Sequence, residues 1–409
     1  MSGSDINVRA SLFQDGAEMS NKHCNSLSIT KIFPTQKSIS SGTISGDMVF
    51  EFNTGNSYLD LFKTHLMCKY TTGTVLANAY FDAGTLVNMI SRGTLYIDGR
   101  QCCFAPNWTQ QYIYSERVTR GPNELKAFQK TLYADAASTN TLTAGTVNSM
   151  DVMYLSGFFL RKEDQFIPPN RNVRIVFNVD TDWLHGALLK DTTTSPGNAD
   201  IPSLTSLDVW MNAYQITTPD MPTGKKYLRL SNVESFQSSM TSGTSHNIQY
   251  TVKDNIIKLG VANQYGAYTV PAAGTAKVLS KPRFRYDAAD ASTYLMTKLN
   301  LRVGDKVIPS SGFENTTYGQ FESYQQFLIN SEKMLNGNSD IETYSEWLTQ
   351  GPIYLINIIH NELDKLSNVE SRSEYLASTS VNHFLFPVYE QVIEMEYDNG
   401  IPGPVSTLI

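Results

Sequence analysis

Charge is scarce in these 409 residues, and cysteine scarcer. Only 17% of the chain is charged, with 32 basic side chains against 39 acidic ones and a formal net charge of −7. Proteins that bind nucleic acid by displacing counterions cluster Lys and Arg. Here residues 1–40 set Arg9, Lys22, Lys31 and Lys37 against Asp5, Asp15 and Glu18, so no basic arm and no sequence-specific nucleic-acid binding is expected. Cys24, Cys68 and the adjacent Cys102-Cys103 lack C-x-x-C spacing, which argues against a zinc site or a disulfide framework. Buried free thiols are the expectation. No apolar run approaches the roughly 18–20 residues of a membrane span, and MSGSDINVRAS has none of the regions of a signal peptide. Synthesis in the cytosol follows as an expectation.

Catalytic patterns are missing too. His23, His65, His185, His246, His360 and His383 form neither H-x-x-x-H nor H-E-x-x-H. There is no G-x-S-x-G, no P-loop, and no G-x-G-x-x-G after a strand. His65 lies in an apolar strand and reads as a satisfied side chain. Glu390, Glu394, Glu396 and Asp398 punctuate a C-terminal strand. Glu394 and Glu396 would share one face about 7 Å apart, a spacing that also suits paired-carboxylate chemistry. A solvated face is the preferred reading. Asn107-Trp-Thr109 and Asn315-Thr-Thr317 match the glycosylation pattern but read as helix caps. The sequence therefore assigns no catalytic, cofactor-binding or metal-ligating residue, and the chain is not expected to be an enzyme.

What is abundant is strand and turn chemistry: 22 Tyr, 19 Phe and 26 Gly, with many Thr, Ser and Asn. A single core stops growing near 250–300 residues, so two domains are expected. The spacing predicts strands over 28–33, 37–41, 48–52, 58–70, 150–160, 172–179, 204–216, 227–239, 248–253, 255–261, 297–309, 353–359 and 384–397. In MVFEFNTGNSYLDLFKTHLMCKY, the Asn53-Thr54-Gly55-Asn56 turn joins two of these into an expected hairpin. Asp98-Gly99 marks a second. Helical spacing appears over 108–113, over 123–132 behind Asn123, over 318–328, and over 341–348 behind Asp340 as cap. Trp183, Trp210 and Trp347 read as core. The segments 139–148, 191–200 and 264–276 read as loops.

The second half restates the first. LYIDGRQCCFAPNWTQQ, from Leu95, and LRVGDKVIPSSGFENTTYGQ, from Leu301, each run strand, Asp/Gly turn, basic residue, proline and helix. A 206-residue offset, about half the chain, is the sign of a duplicated fold. A counterpart of the 48–70 stretch falls near Ile248–Val261.

These segments, in this order over residues 28–397, resemble the double jelly-roll major capsid proteins of tectiviruses, virophages, large DNA viruses and, more distantly, adenovirus hexon. GDMVFEFNTGNSYLDLFKTHLMCKY is similar to the opening of their first jelly roll, and GTLYIDGRQ to their hairpin strand, with Asp98 where Asn is usual. GFFLRKEDQFIPPNRNVRIVFNVD and SLDVWMNAYQI resemble later strands of that roll, and KLNLRVGDKVIPSSGFENTTYGQFESYQQFL its second-roll counterpart. The resemblance implies an all-β protein with a few short helices, built as two tandem eight-stranded antiparallel jelly rolls. The expected division is a flexible arm (1–27), a first roll (28–218), a linker (219–224), a second roll (225–398) and a C-terminal tail (399–409). It also implies a virion protein that forms pseudo-hexagonal homotrimers tiling an icosahedral shell. Neighbouring capsomers and a penton or minor capsid protein would be its partners, with room for an internal membrane beneath. A single jelly-roll capsid or spike protein with a projecting domain, and a carbohydrate-binding β-sandwich, are the alternatives.

Overall fold

The computed structural model describes residues 26–35, 39–40, 43–44, 46–72, 79–81, 85–120, 147–160, 166–179, 187–189, 204–217, 221–251, 256–265, 284, 296–304, 306–314, 316–331, 341–358, 368–376, 378 and 380–408. The expected 123–132 helix, Cys24, His23, His185, His360, Trp183, Asn315 and Asp340 lie outside them. So do residues 1–25, 139–146, 191–200 and 266–276 of the expected arm and loops.

Strands dominate. In the first part of the chain they are β1 (Ser26–Ile32), β2 (Ile39–Ser40), β3 (Thr43–Ile44), β4 (Gly46–Asn53), β5 (Ser57–Thr72), β6 (Ala79–Phe81), β7 (Ile90–Ile97), β8 (Arg100–Ala105), β9 (Val147–Tyr154), β10 (Phe159–Leu160), β11 (Phe166–Ile167), β12 (Asn172–Val179), β13 (Ala187–Leu189) and β14 (Leu204–Thr217). Then follow β15 (Gly224–Val233), β16 (Phe236–Met240), β17 (Ser245–Thr251), β18 (Ile256–Tyr265), β19 (Met296–Val303), β20 (Lys306–Glu314), β21 (Ile353–Asn357), β22 (Asn368–Tyr375), β23 (Val381–Asp398) and β24 (Ile401–Thr407). The helices among the described residues are α1 (Thr85–Met89), α2 (Trp108–Thr119), α3 (Thr317–Asn330) and α4 (Tyr344–Gln350).

Local chemistry explains most of these. In β12, Val173, Ile175, Phe177 and Val179 are buried while Asn172, Arg174, Val176 and Asn178 are less so, the period-2 burial of a sheet with one face on a core. Asp98 and Gly99 sit at φ 48° and 78°, as a two-residue hairpin turn requires, and Ile97 pairs with Arg100. Thr343 caps α4 in a reciprocal capping box with Glu346, which displaces the expected cap at Asp340.

The sheets repeat a single connectivity. In the first part, β4-β12-β7-β8 make one sheet, and β1, β14 and β5 lie side by side in another, with β9 on β5. From β15 onward, β17-β22-β19-β20 and β15-β23-β18-β21 follow the same order. Each set of four thus uses equivalent strands in equivalent places, so the duplication expected from the 206-residue offset is a duplication of topology. The counterpart at Ile248–Val261 falls on β17 and β18, which correspond to β4 and β5.

That topology corrects the expected hairpin at 48–70. β4 and β5 belong to different sheets. Their partner is the segment 166–179: Asn53 pairs with Asn172, and Leu59 with Ile167. Between these, Thr54 N–H donates to Arg171 O at 2.9 Å and Asn170 N–H to Gly55 O at 2.7 Å. Two chains therefore bend together round the corner of the sandwich, keeping their backbone hydrogen bonds through the bend. The expected strand at 150–160 also divides. β9 pairs with β5, whereas β10 leaves it to pair with β15. Likewise 227–239 breaks into β15 and β16, both on β23.

One apolar cluster fills the second sandwich, with Leu259, Leu301, Val303, Val369 and Leu385 among its members. A larger one fills the first and runs on to Phe384, Phe386 and Val388 of β23. Burying side chains of this size stabilises by about 1.5–3 kcal/mol each.

Candidate assembly interface

The segment WTQQYIYSERVT has no clean apolar stripe, yet nine of its residues are buried, among them Gln111, Ser115, Glu116 and Arg117. A helix buried all round is normally apolar all round. α2 is mixed because it is wedged between the two sandwiches and finds polar partners on each. Toward its own sandwich, Trp108 sits edge-on to Phe158 and Phe177, with ring centroids 4.9 and 4.8 Å away. Gly93 and Gly157 make room for it: a Cβ there would come within 2.8 and 2.7 Å of the indole. Toward the second sandwich, Tyr114 stacks on Phe386 at 4.4 Å and 8°. Its ring occupies the space a side chain at Gly260 would need.

Polar groups lock the same seam. Gln111 Nε2 donates to Val233 O and to Gly157 O, and Ser235 Oγ donates to Gln111 Oε1 at 2.8 Å. Arg117 pairs with Glu342 at 2.8 Å, with both side chains buried. Glu116 pairs with Arg120 at 3.0 Å and accepts from the Ser156 hydroxyl. Losing one member of such a pair leaves a buried charge uncompensated.

A second lock centres on Arg171. Its guanidinium donates to Tyr397 Oη at 2.8 Å, Asp98 Oδ2 at 2.8 Å, Gly403 O at 2.7 Å and Glu396 O at 2.6 Å. It also lies 4.3 Å over the Tyr397 ring. Burial pushes the Tyr397 hydroxyl up to about 12, with the Arg171 hydrogen bond opposing. Gly403 belongs to β24, so residues 401–407 of the expected C-terminal tail form a strand paired with β23. Pro402 and Pro404 are tolerated because, among the described strands, β24 pairs with β23 alone. Arg100 and Asn170 add hydrogen bonds to Val405 O and Gly400 O. At the other end of the chain, β1 begins at Ser26, two residues inside the expected arm.

No protein-family model matches the chain, and no curated protein matches it in sequence. Solved structures do match. The major capsid protein of mavirus superposes with a TM-score of 0.60 at 11% identity, over 93% of this chain and 89% of its own. A Sputnik virophage structure gives 0.58 at 11% identity, over 97% and 90%. The PBCV-1 virus capsid gives 0.56 at 10%, over 95% and 98%. The chain is a double jelly roll.

Within that double jelly roll the singled-out residues separate. Cys68, Cys102 and Cys103 are buried free thiols, and burial pushes Cys102 up to about 12. His65 is held by Lys63 O at 2.9 Å and Asn212 Nδ2 at 3.2 Å, between the rings of Tyr154 and Tyr214. Glu394 and Glu396 are bridged by Lys225 at 2.9 and 3.5 Å, which holds the Glu394 carboxyl below its usual range. Trp347 is core, but Trp210 is only half-buried, with Lys31 Nζ 4.0 Å over its ring. Thr316 caps α3 through its side chain, whereas Asn107 caps nothing with its own and donates to Ser235 instead.

Sequence reading missed one buried constellation in the second roll. His383 Nδ1–H donates to Asn263 Oδ1 at 2.6 Å, and Nε2 accepts from Ser371 Oγ at 2.8 Å. The Asn263 amide is oriented by its own donation to Met296 Sδ at 3.1 Å. The residues are dispersed over 120 positions, so no local pattern announces them. His383 and Ser371 are fully buried, and the arrangement ties β22 of one sheet to β18 and β23 of the other. Among the described residues, no three His, Cys, Asp or Glu converge as metal ligands, and no helix is long and apolar enough to cross a membrane.

Proposed function

We propose that this chain is a viral major capsid protein, acting by assembly rather than catalysis, that forms homotrimeric capsomers in an icosahedral shell. The observation that carries the reading is the repeated topology: two sandwiches of one connectivity, clamped side by side through α2 and Arg171. Three such chains would set six similar sandwiches in a ring, a pseudo-hexagonal tile from one gene product. The likeness to mavirus, Sputnik and PBCV-1 capsid structures over nearly the whole chain supports it. The reading places the protein in the virion after synthesis in the host cytoplasm, with neighbouring capsomers and a penton or minor capsid protein as partners. It divides the chain into rolls at 28–218 and 225–398 with a linker at 219–224, and gives no residue a catalytic, cofactor or metal role. Light scattering of the purified chain with negative-stain imaging tests it. Trimers of hexagonal outline, or shells, are expected; a monomer at every concentration would sink the reading.

A further inference from the structure

The two rolls treat equivalent surfaces differently. α2 and α3 each follow the second strand of a hairpin, β7–β8 and β19–β20, and so hold corresponding places. α2 is enclosed between its own roll and the second one. α3 packs one face on its own roll, through Tyr324, Phe327 and Leu328, and leaves the other bare. Tyr318, Phe321 and Ile329 line that outward face, 73%, 42% and 49% exposed, with Glu322 and Gln325 between them and Phe321 partly covered by the edge-on ring of Tyr344 of α4 at 5.7 Å.

The sheets show the complementary difference. In the second roll, the outer face of β15-β23-β18 is covered by α2, where Tyr114 lies against Phe386 and Gly260. Its counterpart in the first roll is the outer face of β1-β14-β5. There Leu27, Ile29 and Phe33 are 48%, 55% and 62% exposed, beside Lys31 and Trp210. One chain thus presents a bare helix face on its second roll and a bare sheet face on its first. These are the two sides of the seam it already makes internally.

We infer that the bare face of α3 docks on the outer face of the β1-β14-β5 sheet of a second copy, repeating between chains the contact α2 makes within one. The inference rests on the capsid reading and names the surfaces that reading needs. Apolar side chains meet on both sides, with Glu322 within one patch and Lys31, over the Trp210 ring, within the other as opposite charges. The contact is heterologous, helix side to sheet side, so every copy keeps one free surface of each kind until a ring closes.

The test uses the full chain and two variants, I329D on the helix side and I29D on the sheet side. Both sites are exposed, so each should keep the circular dichroism and melting curve of the parent; Tyr318→Ser and Phe33→Ser are milder versions of the same test. Light scattering across a concentration series should show the parent as a closed trimer. Each variant alone should be monomeric, with association weakened roughly a hundredfold or more, as for central interface residues. Mixed together, each variant retains the surface the other lacks, so the mixture should stop at dimers. Folded variants that still trimerise would overturn these surfaces while leaving the capsid reading standing. A parent that never associates would overturn both.

Discussion

Arg171 Nε donates to the Tyr397 hydroxyl at 2.8 Å across 226 positions of sequence, and that hydroxyl in turn donates a hydrogen bond to Pro169 O at 2.8 Å. One side chain from the corner of the first roll thereby holds the last long strand of the second. Its other two nitrogens donate to Asp98, Gly403 and Glu396, so all three guanidinium nitrogens are engaged. The double jelly roll is therefore closed by hydrogen bonds as well as by its shared apolar cluster.

Replacing Arg171 by Met should destabilise the chain by about 3–5 kcal/mol, the usual cost of breaking a buried charged network from one side. Lys should not rescue it, because a single ammonium cannot reach four acceptors spread over a planar fork. Denaturant unfolding measures the loss. Hydrogen exchange should also show residues 401–407 losing protection before the rest of the sheet. Full protection of β24 in the variant would count against the clamp.

The Gly260–Tyr114 contact predicts a pairwise effect. Ala at Gly260 must displace the Tyr114 ring from its stack on Phe386, an overpacking cost of about 1–3 kcal/mol. In a Tyr114→Ala background the same change has room and should cost little. A double-mutant cycle on denaturation midpoints reads the difference. Additive effects would mean that the ring does not sit where a side chain at 260 would go.

How far the sequence carried depends on whether a signal was local. The alternation in Asn172–Val179 and the Asp98-Gly99 turn are written in adjacent residues, and the strand and turn lie where they were expected. Thr343 with Glu346 was equally local, a T-x-x-E capping box passed over for Asp340. The Asn53–Asn56 turn was local too, but a turn says only that the chain bends. The partner that decides which sheet each arm joins is Arg171 and its neighbours, 117 positions away from Thr54. The contact of Gly157 with Trp108, the Arg171 clamp and the His383 group are likewise made by distant segments. Duplication was the one long-range feature the sequence displayed, since it repeats a local pattern.

His383 should make the second roll sensitive to acid. Burial, with the nearby His246 adding to it, lowers its pKa from 6.5 to about 3. The folded chain therefore keeps the ring neutral while an unfolded chain would protonate it below about pH 6.5. The folded-state advantage is fully present above 6.5 and falls as pH drops toward 3, by roughly 1.4 kcal/mol for each unit. The groups facing the ring are Asn263 and Ser371, with His246 6.0 Å away and itself lowered by burial, so its hydrogen-bond partners carry no negative charge to offset the effect. Thermal melts of the parent and of His383→Gln between pH 7.5 and 4 separate this group from the many surface carboxylates. The parent should lose stability more steeply below pH 6.5, and the two curves should run parallel above it. Parallel curves throughout would show that His383 does not carry the acid sensitivity.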